Sequence, residues 1–318
     1  MSTPAKELIA IAEFGFIEND AAKKQLATIF NRIAFPAFPL ALRHNAAHWS
    51  MLVDQGILHE YDIKKLKTAA DGATRNSEFS LIEDFNEMIR PLGTSVEEML
   101  AARNDPEELK RIKEKVALPV EEIEAKIPDH ERAMQTIRRV SVNTTRLFAI
   151  AVRKQENPDA YATVRSGDSS LDDDDQRPNK HDVLKIVVVV PVPDEQTSWQ
   201  QIIQYRNDPD SQGGFIELKE WMSDLARGAI LEAEAQHKLE SLLDQYRRVL
   251  QRHEIQINWA KLEAFVVASA DYAQRFAPFS ASPLFWVEPR KLALLEGEST
   301  LPGSIVAFVT EAKSMFDE

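Results

Sequence analysis

The run K-I-V-V-V-V-P-V-P, Lys185 to Pro193, constrains this chain more than any other stretch. Valine carries two heavy atoms on Cβ, which stiffens χ1 and suits a pleated surface. A strand with no alternating polar residue needs cover on both faces. Burying each valine contributes roughly 1.5 kcal/mol or more, so the run suffices as a core strand with no further role. The segment D-V-L-K-I-V-V-V-V also fits a short buried helix, and period alone does not choose between the two. Pro191 and Pro193 predict an extended exit that ends any ladder. Ser198 and Gln201 then form the S-x-x-Q capping box of a following helix.

A strand, loop and helix in this order cradle phosphate in many α/β proteins, but the cradle needs glycine. None stands at this junction, and Gly213-Gly214 lies later without a following Lys-Ser/Thr. Asp194 and Glu195 read as solvated loop acids rather than metal ligands.

Around this run the chain divides. Leu8 to Ile17 is apolar enough for a strand, and Asn19 or Asp20 caps a helix bearing Leu26, Ile29 and Phe30. R-I-A-F-P is a second strand, a helix follows from about Leu42 to Val53, and Ile57 to Tyr61 is a third strand. That alternation predicts a small parallel sheet. Polar helices fill Asp62 to about Lys126, a long helix runs from about Asp129 to Gln155, and A-Y-A-T-V-R returns as a strand. Ser166 to Lys180 is rich in Asp and too polar to offset the entropy of ordering.

Beyond the valine run, everything to about Phe276 reads as helix. Phe215, Leu218, Met222 and Leu225 form one stripe, Leu239, Leu242, Tyr246 and Val249 a second, and Leu262, Phe265, Ser269, Tyr272 and Phe276 a third. The fold class expected is therefore mixed α/β: a small N-terminal sheet with helices (1–165), an Asp-rich linker (166–182) and a mainly helical C-terminal unit (183–318). At 318 residues two folding units are expected, since single cores stop growing near about 250–300 residues.

Composition narrows function by exclusion. The net charge of −13 argues against general affinity for nucleic acid or acidic lipid, which needs a positive field. With no cysteine there is no disulfide, thiolate zinc site, iron–sulfur cluster or cysteine nucleophile. The opening M-S-T-P-A-K-E-L-I-A predicts no secretory leader, and no apolar run approaches the roughly 20 residues of a membrane span. A cytoplasmic location is expected.

No G-x-S-x-G elbow or G-x-G-x-x-G fingerprint occurs. His44 and His48 stand four apart on a predicted helix and could face one metal ion, but the glutamate of H-E-x-x-H is replaced by Asn45. Glu13, Asp20, Asp54, Glu60 and Asp84 are acids near predicted sheet ends, and three or four together at one edge would suit metal-dependent hydrolysis.

The sharpest pattern is Arg132, Arg139, Arg146 and Arg153. Seven residues make almost two helical turns, so the four form one stripe drifting about 20° per step. Met134, Ile137, Val140, Leu147, Phe148 and Ala151 are expected on the buried side. The arginines then form a solvated face, or a guanidinium ladder for a partner's carboxylate or phosphate row. Asp172 to Asp175 offer an internal partner for such a ladder.

F-N-R-I-A-F-P, M-L-V-D-Q-G-I-L-H-E and I-I-Q-Y-R-N-D-P-D with F-I-E-L-K-E-W-M-S-D-L-A resemble a group of bacterial proteins, some encoded near mobile-element or defence genes. The resemblance rests on packing residues and one Arg-Asn-Asp-Pro turn and implies no activity. The expectation is a non-enzymatic protein-interaction or regulatory module, with no cofactor, binding a protein partner through the arginine face. The alternative is a metal-dependent hydrolase or nuclease using the N-terminal carboxylates.

Overall fold

The computed structural model describes residues 7–12, 20–36, 48–61, 107–108, 111, 142–143, 145–154, 157–165, 180–211, 213–230, 232–275, 279–295 and 297–310. In chain order the elements are β1 (Ile9–Ala12), α1 (Asp20–Ile29), β2 (Arg32–Pro36), α2 (Trp49–Asp54) and β3 (Leu58–Tyr61). Helical residues 145–154 (α3) precede β4 (Ala160–Arg165). Then come β5 (Lys180–Pro193), α4 (Trp199–Arg206), α5 (Gly213–Arg227) and α6 (Glu232–Arg252). The last described elements are β6 (Ile257–Val267), α7 (Ala270–Arg275), β7 (Phe279–Ser282), β8 (Phe285–Ala293) and β9 (Ile305–Thr310).

The nine described strands join one sheet in the order β3-β2-β1-β4-β9-β6-β5-β8-β7. From β3 to β9 the pairs are parallel, and from β9 to β7 they are antiparallel. The expectation of a mainly helical C-terminal part is therefore corrected. Strands β5 to β9 supply more than half of the sheet, and β4 joins them by pairing with β9. Strands from both sides of the Asp-rich segment thus share one sheet, and residues 180–182 of that segment open β5. The rest of it, residues 166–179, lies outside the described residues.

Of the helical stripe assigned to Leu262, Phe265, Ser269, Tyr272 and Phe276, the first two lie in β6, Ser269 follows that strand, Tyr272 lies in α7, and Phe276 lies outside the described residues. In β6 the side chains alternate: Ala260, Leu262, Ala264 and Val266 enter one core cluster, while Phe265 and Val267 enter another. Two-sided burial fills both parities of the strand, and a fully filled strand contains the spacings of three and four that also mark a helix.

The valine run is a strand, with Ile186 to Val188 fully buried. Pro191 and Pro193 do not end its pairing with β6, where they face Trp259 and Ile257. The amide of Val189, two residues before Pro191 and therefore on the same edge, donates to Leu284 on the β8 side. The ladder with β8 stops at Val188. The missing proline N–H groups thus point where no strand remains to receive them, so they cost no bond.

Each face of the sheet has its own cover. Leu8, with Ala10 and Ala12 of β1, shares a core with Leu184, Ile186, Val188 and Val190 of β5, beneath α1, α4, α5 and α6. On the other face Ile9 and Ile11 meet α3 through Ala149, Ala151, Ala160, Ala162 and Ala307. Small side chains on both surfaces let that helix lie close to the strands.

The joint between α1 and α4 is polar. Arg206 donates to the carbonyls of Ala27 and Phe30, both at 2.7 Å, and to that of Asn31, satisfying the open C-terminus of α1. Burial pushes its pKa down to about 10, so it remains charged at neutral pH. Tyr205 donates to the Thr28 carbonyl at 3.0 Å. The Ser198–Gln201 capping box is formed as expected and starts α4.

Candidate functional site

At the carboxyl edge of the parallel strands, where α/β sheets usually bind ligands, the charged groups hold one another. Asp20 opens α1 and accepts from the Trp199 indole at 3.1 Å, with Lys24 and Lys23 at 3.2 and 3.4 Å. Lys24 also donates to the Glu195 carbonyl at 2.9 Å. Burial raises the Asp20 pKa, but the Trp199 and Lys24 hydrogen bonds and the two lysine charges outweigh it and hold it below the ordinary value. Asp194 accepts from the amide and hydroxyl of Thr197, at 2.8 and 2.9 Å, and so shapes the turn before α4.

Of the acids considered for a metal, Asp20 and Asp54 do not come together. Asp20 follows the carboxyl end of β1, whereas Asp54 ends α2 and feeds the amino end of β3. Since β1, β2 and β3 are parallel, the two lie at opposite edges of the sheet. Glu60 is a β3 residue, and Glu13 and Asp84 lie outside the described residues. Among the described residues no group of three or more His, Asp or Glu is placed to hold a metal ion. His48 stands outside the helix, preceding α2 with φ of 68°, and His44 lies outside the described residues.

The arginine stripe is placed differently from the expectation. Arg132 and Arg139 lie outside the described residues. Arg146 is buried and gives a two-pronged contact to Glu298, Nε to Oε1 at 2.9 Å and Nη2 to Oε2 at 2.5 Å, plus a bond to the Ala293 carbonyl. Leu147 and Phe148, expected inside, are only partly buried. The polar stripe of α3 faces the protein because a carboxylate 152 residues away awaits it.

Arg153, two turns further on, is half-buried and lines a polar cavity of about 480 Å³. Its floor is Arg153, Pro158 and Tyr161. One wall is α5 with Lys219, Glu220, Ser223, Asp224 and Arg227, and the other is the loop with Ser299, Gly303 and Ser304. The cavity sits at the amino ends of β4 and β9, since Arg153 Nε donates to the Ala160 carbonyl at 2.5 Å and Nη2 to that of Ile305 at 3.2 Å. Lys219, Ser223 and Arg227 share the wall because positions four apart on a helix lie on one face.

The Tyr161 ring carries one cation from the floor and one from the wall, with Arg153 Cζ at 5.2 Å and Lys219 Nζ at 5.5 Å from its centroid. Lys219 pairs with Asp159 at 2.6 Å, and the Tyr161 hydroxyl donates to the same carboxylate at 3.0 Å. Burial first, and then the Asp159 charge, push the Tyr161 pKa up, so its proton stays in place. Burial also lowers the pKa of Arg153. At the mouth, Arg227 donates to the Pro302 carbonyl at 3.2 Å, and Asp224 lies 3.7 Å from Arg227 and 3.8 Å from Lys238.

A second hollow, about 620 Å³, lies by Trp49, Val53, Leu58 and His59. Its cation, Arg32, is already paired with Glu7 at 2.8 Å. The polar cavity is therefore the stronger site.

Of its residues, sequence reading singled out only Arg153. Lys219, Ser223 and Arg227 look like the wet side of the Phe215–Leu225 stripe, and Asp159 and Ser299 belong to turns with no motif. No protein-family model, curated protein or solved structure matches this chain.

Proposed function

We propose that this chain is a regulatory module that works by binding a small polar ligand in the cavity beside Arg153, without converting it. The observation that carries this reading is the cavity's construction. Its walls come from α3, the start of β4, α5 and the loop before β9, four segments distant in sequence. A ligand bridging them stabilises the folded arrangement by mass action and so couples occupancy to the state of all four segments. The titratable groups present suit holding rather than proton transfer. Tyr161 keeps its proton bonded to Asp159, and Lys219 is ion-paired, whereas acid–base catalysis wants a pKa near the working pH.

The alternative of metal-dependent hydrolysis has no comparable observation in its favour, since Asp20 is held by two lysines and an indole. The test is a thermal-shift panel of sugars, amino acids, carboxylates, phosphates and nucleosides. At least one class should raise the melting temperature of the protein but not of Ser223→Trp, which fills the cavity. Proton NMR after prolonged incubation should return that ligand unchanged. Conversion to product would replace this reading with an enzyme, and silence across the panel would remove the site.

A further inference from the structure

Among the described carboxylates, Glu298 and Asp159 act on the Arg153 charge only from a distance. The hydrogen bonds of Arg153 run only to the carbonyls of Ala160 and Ile305, and no carboxylate among the described residues bonds to it. Glu298 has Oε1 held by Arg146 Nε and Oε2 held by Arg146 Nη2 and the Leu295 amide. Asp159 is held by Lys219 and Tyr161. Carbonyl dipoles orient a guanidinium but do not neutralise it, and a desolvated charge is costly unless paired. The Nη1 amino group is left with no bond to any described residue, on a side chain that lines the cavity.

We propose that the cavity receives the single oxyanion, carboxylate or phosphate, of a small polar molecule, with Arg153 as the principal cation and Lys219 as the second. This rests on the reading of the cavity as a ligand site and names the ligand's chemistry. A planar guanidinium matches two oxygens of either anion, and the hydroxyls of Ser223, Ser299 and Ser304 line the space around it. Glu220 and Asp224 also face the cavity, on the α5 side. They repel a second negative charge, so the remainder of the ligand is neutral or cationic and polyanions are disfavoured.

Calorimetry on the full chain with inorganic phosphate, acetate and tripolyphosphate tests this. Phosphate or acetate should bind at one site per chain, and whichever binds more tightly identifies the source of the anion. Tripolyphosphate should bind more weakly than inorganic phosphate. Arg153→Lys should weaken binding about tenfold, because a point charge replaces the fork. Ser223→Trp should abolish it, and that variant decides the question if Arg153→Lys fails to fold. Binding unchanged in Ser223→Trp, or tripolyphosphate the tightest ligand, would overturn the proposal. So would neither simple anion binding while a sugar or an amine occupies the cavity, an outcome that leaves the regulatory-module reading standing.

Discussion

Arg146 and Glu298 form a two-pronged ion pair with both side chains almost fully buried, at 2.9 and 2.5 Å, joining α3 to the loop before β9. The Leu295 amide also donates to Glu298, at 2.7 Å, so the carboxylate organises the loop as well as the arginine. Each partner compensates the desolvation of the other, which makes loss of one worse than loss of both. Glu298→Ala should destabilise by about 3–5 kcal/mol in urea unfolding. Arg146→Met combined with Glu298→Leu should recover a large part of that loss. A double variant no more stable than Glu298→Ala would show that the loop needs the carboxylate itself.

Arg206 ties the two ends of the sheet's cover together. It satisfies three carbonyls at the end of α1 from the last turn of α4. Arg206→Ala leaves those acceptors partly buried without a donor, at about 1–3 kcal/mol for each one that water does not reach. The expected result is loss of several kcal/mol by chemical denaturation, with early amide exchange in α1. Arg206→Lys should restore only part of it, because an ammonium cannot span the carbonyls as a fork does.

This arginine also shows what the sequence carries and what it hides. It sits in the R-N-D-P turn that underlies the resemblance drawn above, and its contacts make that turn a packing device. Local signals were legible: Asp20 opening α1, the short runs of β1 to β3, and Ser198 with Gln201 at α4. Each depends on residues within a few positions of one another. The valine run of β5 was legible as a strand, but its antiparallel neighbour β6 was not, because I-N-W-A-K-L-E-A-F-V-V mixes helix formers with apolar residues buried on both faces. The seven-residue spacing correctly places Arg146 and Arg153 on one side of α3. It cannot say that the side faces inward, since Glu298 is 152 residues away. The cavity has the same origin, as its four walls meet only in three dimensions.

Gly303 stands against Arg227 at the cavity's mouth. Its φ of 87° is one that side chains rarely adopt, and an added Cβ would lie 2.4 Å from Arg227 Nε. Gly303→Ala should therefore cost at least about 1 kcal/mol for the backbone alone, with the clash adding to it. In an Arg227→Ala background the clash disappears while the backbone cost remains, so the alanine should be less damaging there. Equal losses in both backgrounds, measured by a double-mutant cycle, would mean that Arg227 swings aside freely.

Asp20 sets an acid limit on stability. Its folded pKa lies below the ordinary 3.8, so the unfolded chain holds more protons on this group as pH falls from neutrality toward that range. Stability from Asp20 is then fully present above the unfolded value and is lost as pH drops through the folded one. Its side chain is 40 % exposed, which screens the lysine charges and keeps the effect modest. Asp20→Asn keeps an acceptor for the Trp199 indole but removes the charge that Lys23 and Lys24 face. The variant should be less stable than the parent at pH 7, and the gap should narrow as both are taken below about pH 4. A gap independent of pH would place the loss in the altered hydrogen bond to Trp199, not in the ion pairs.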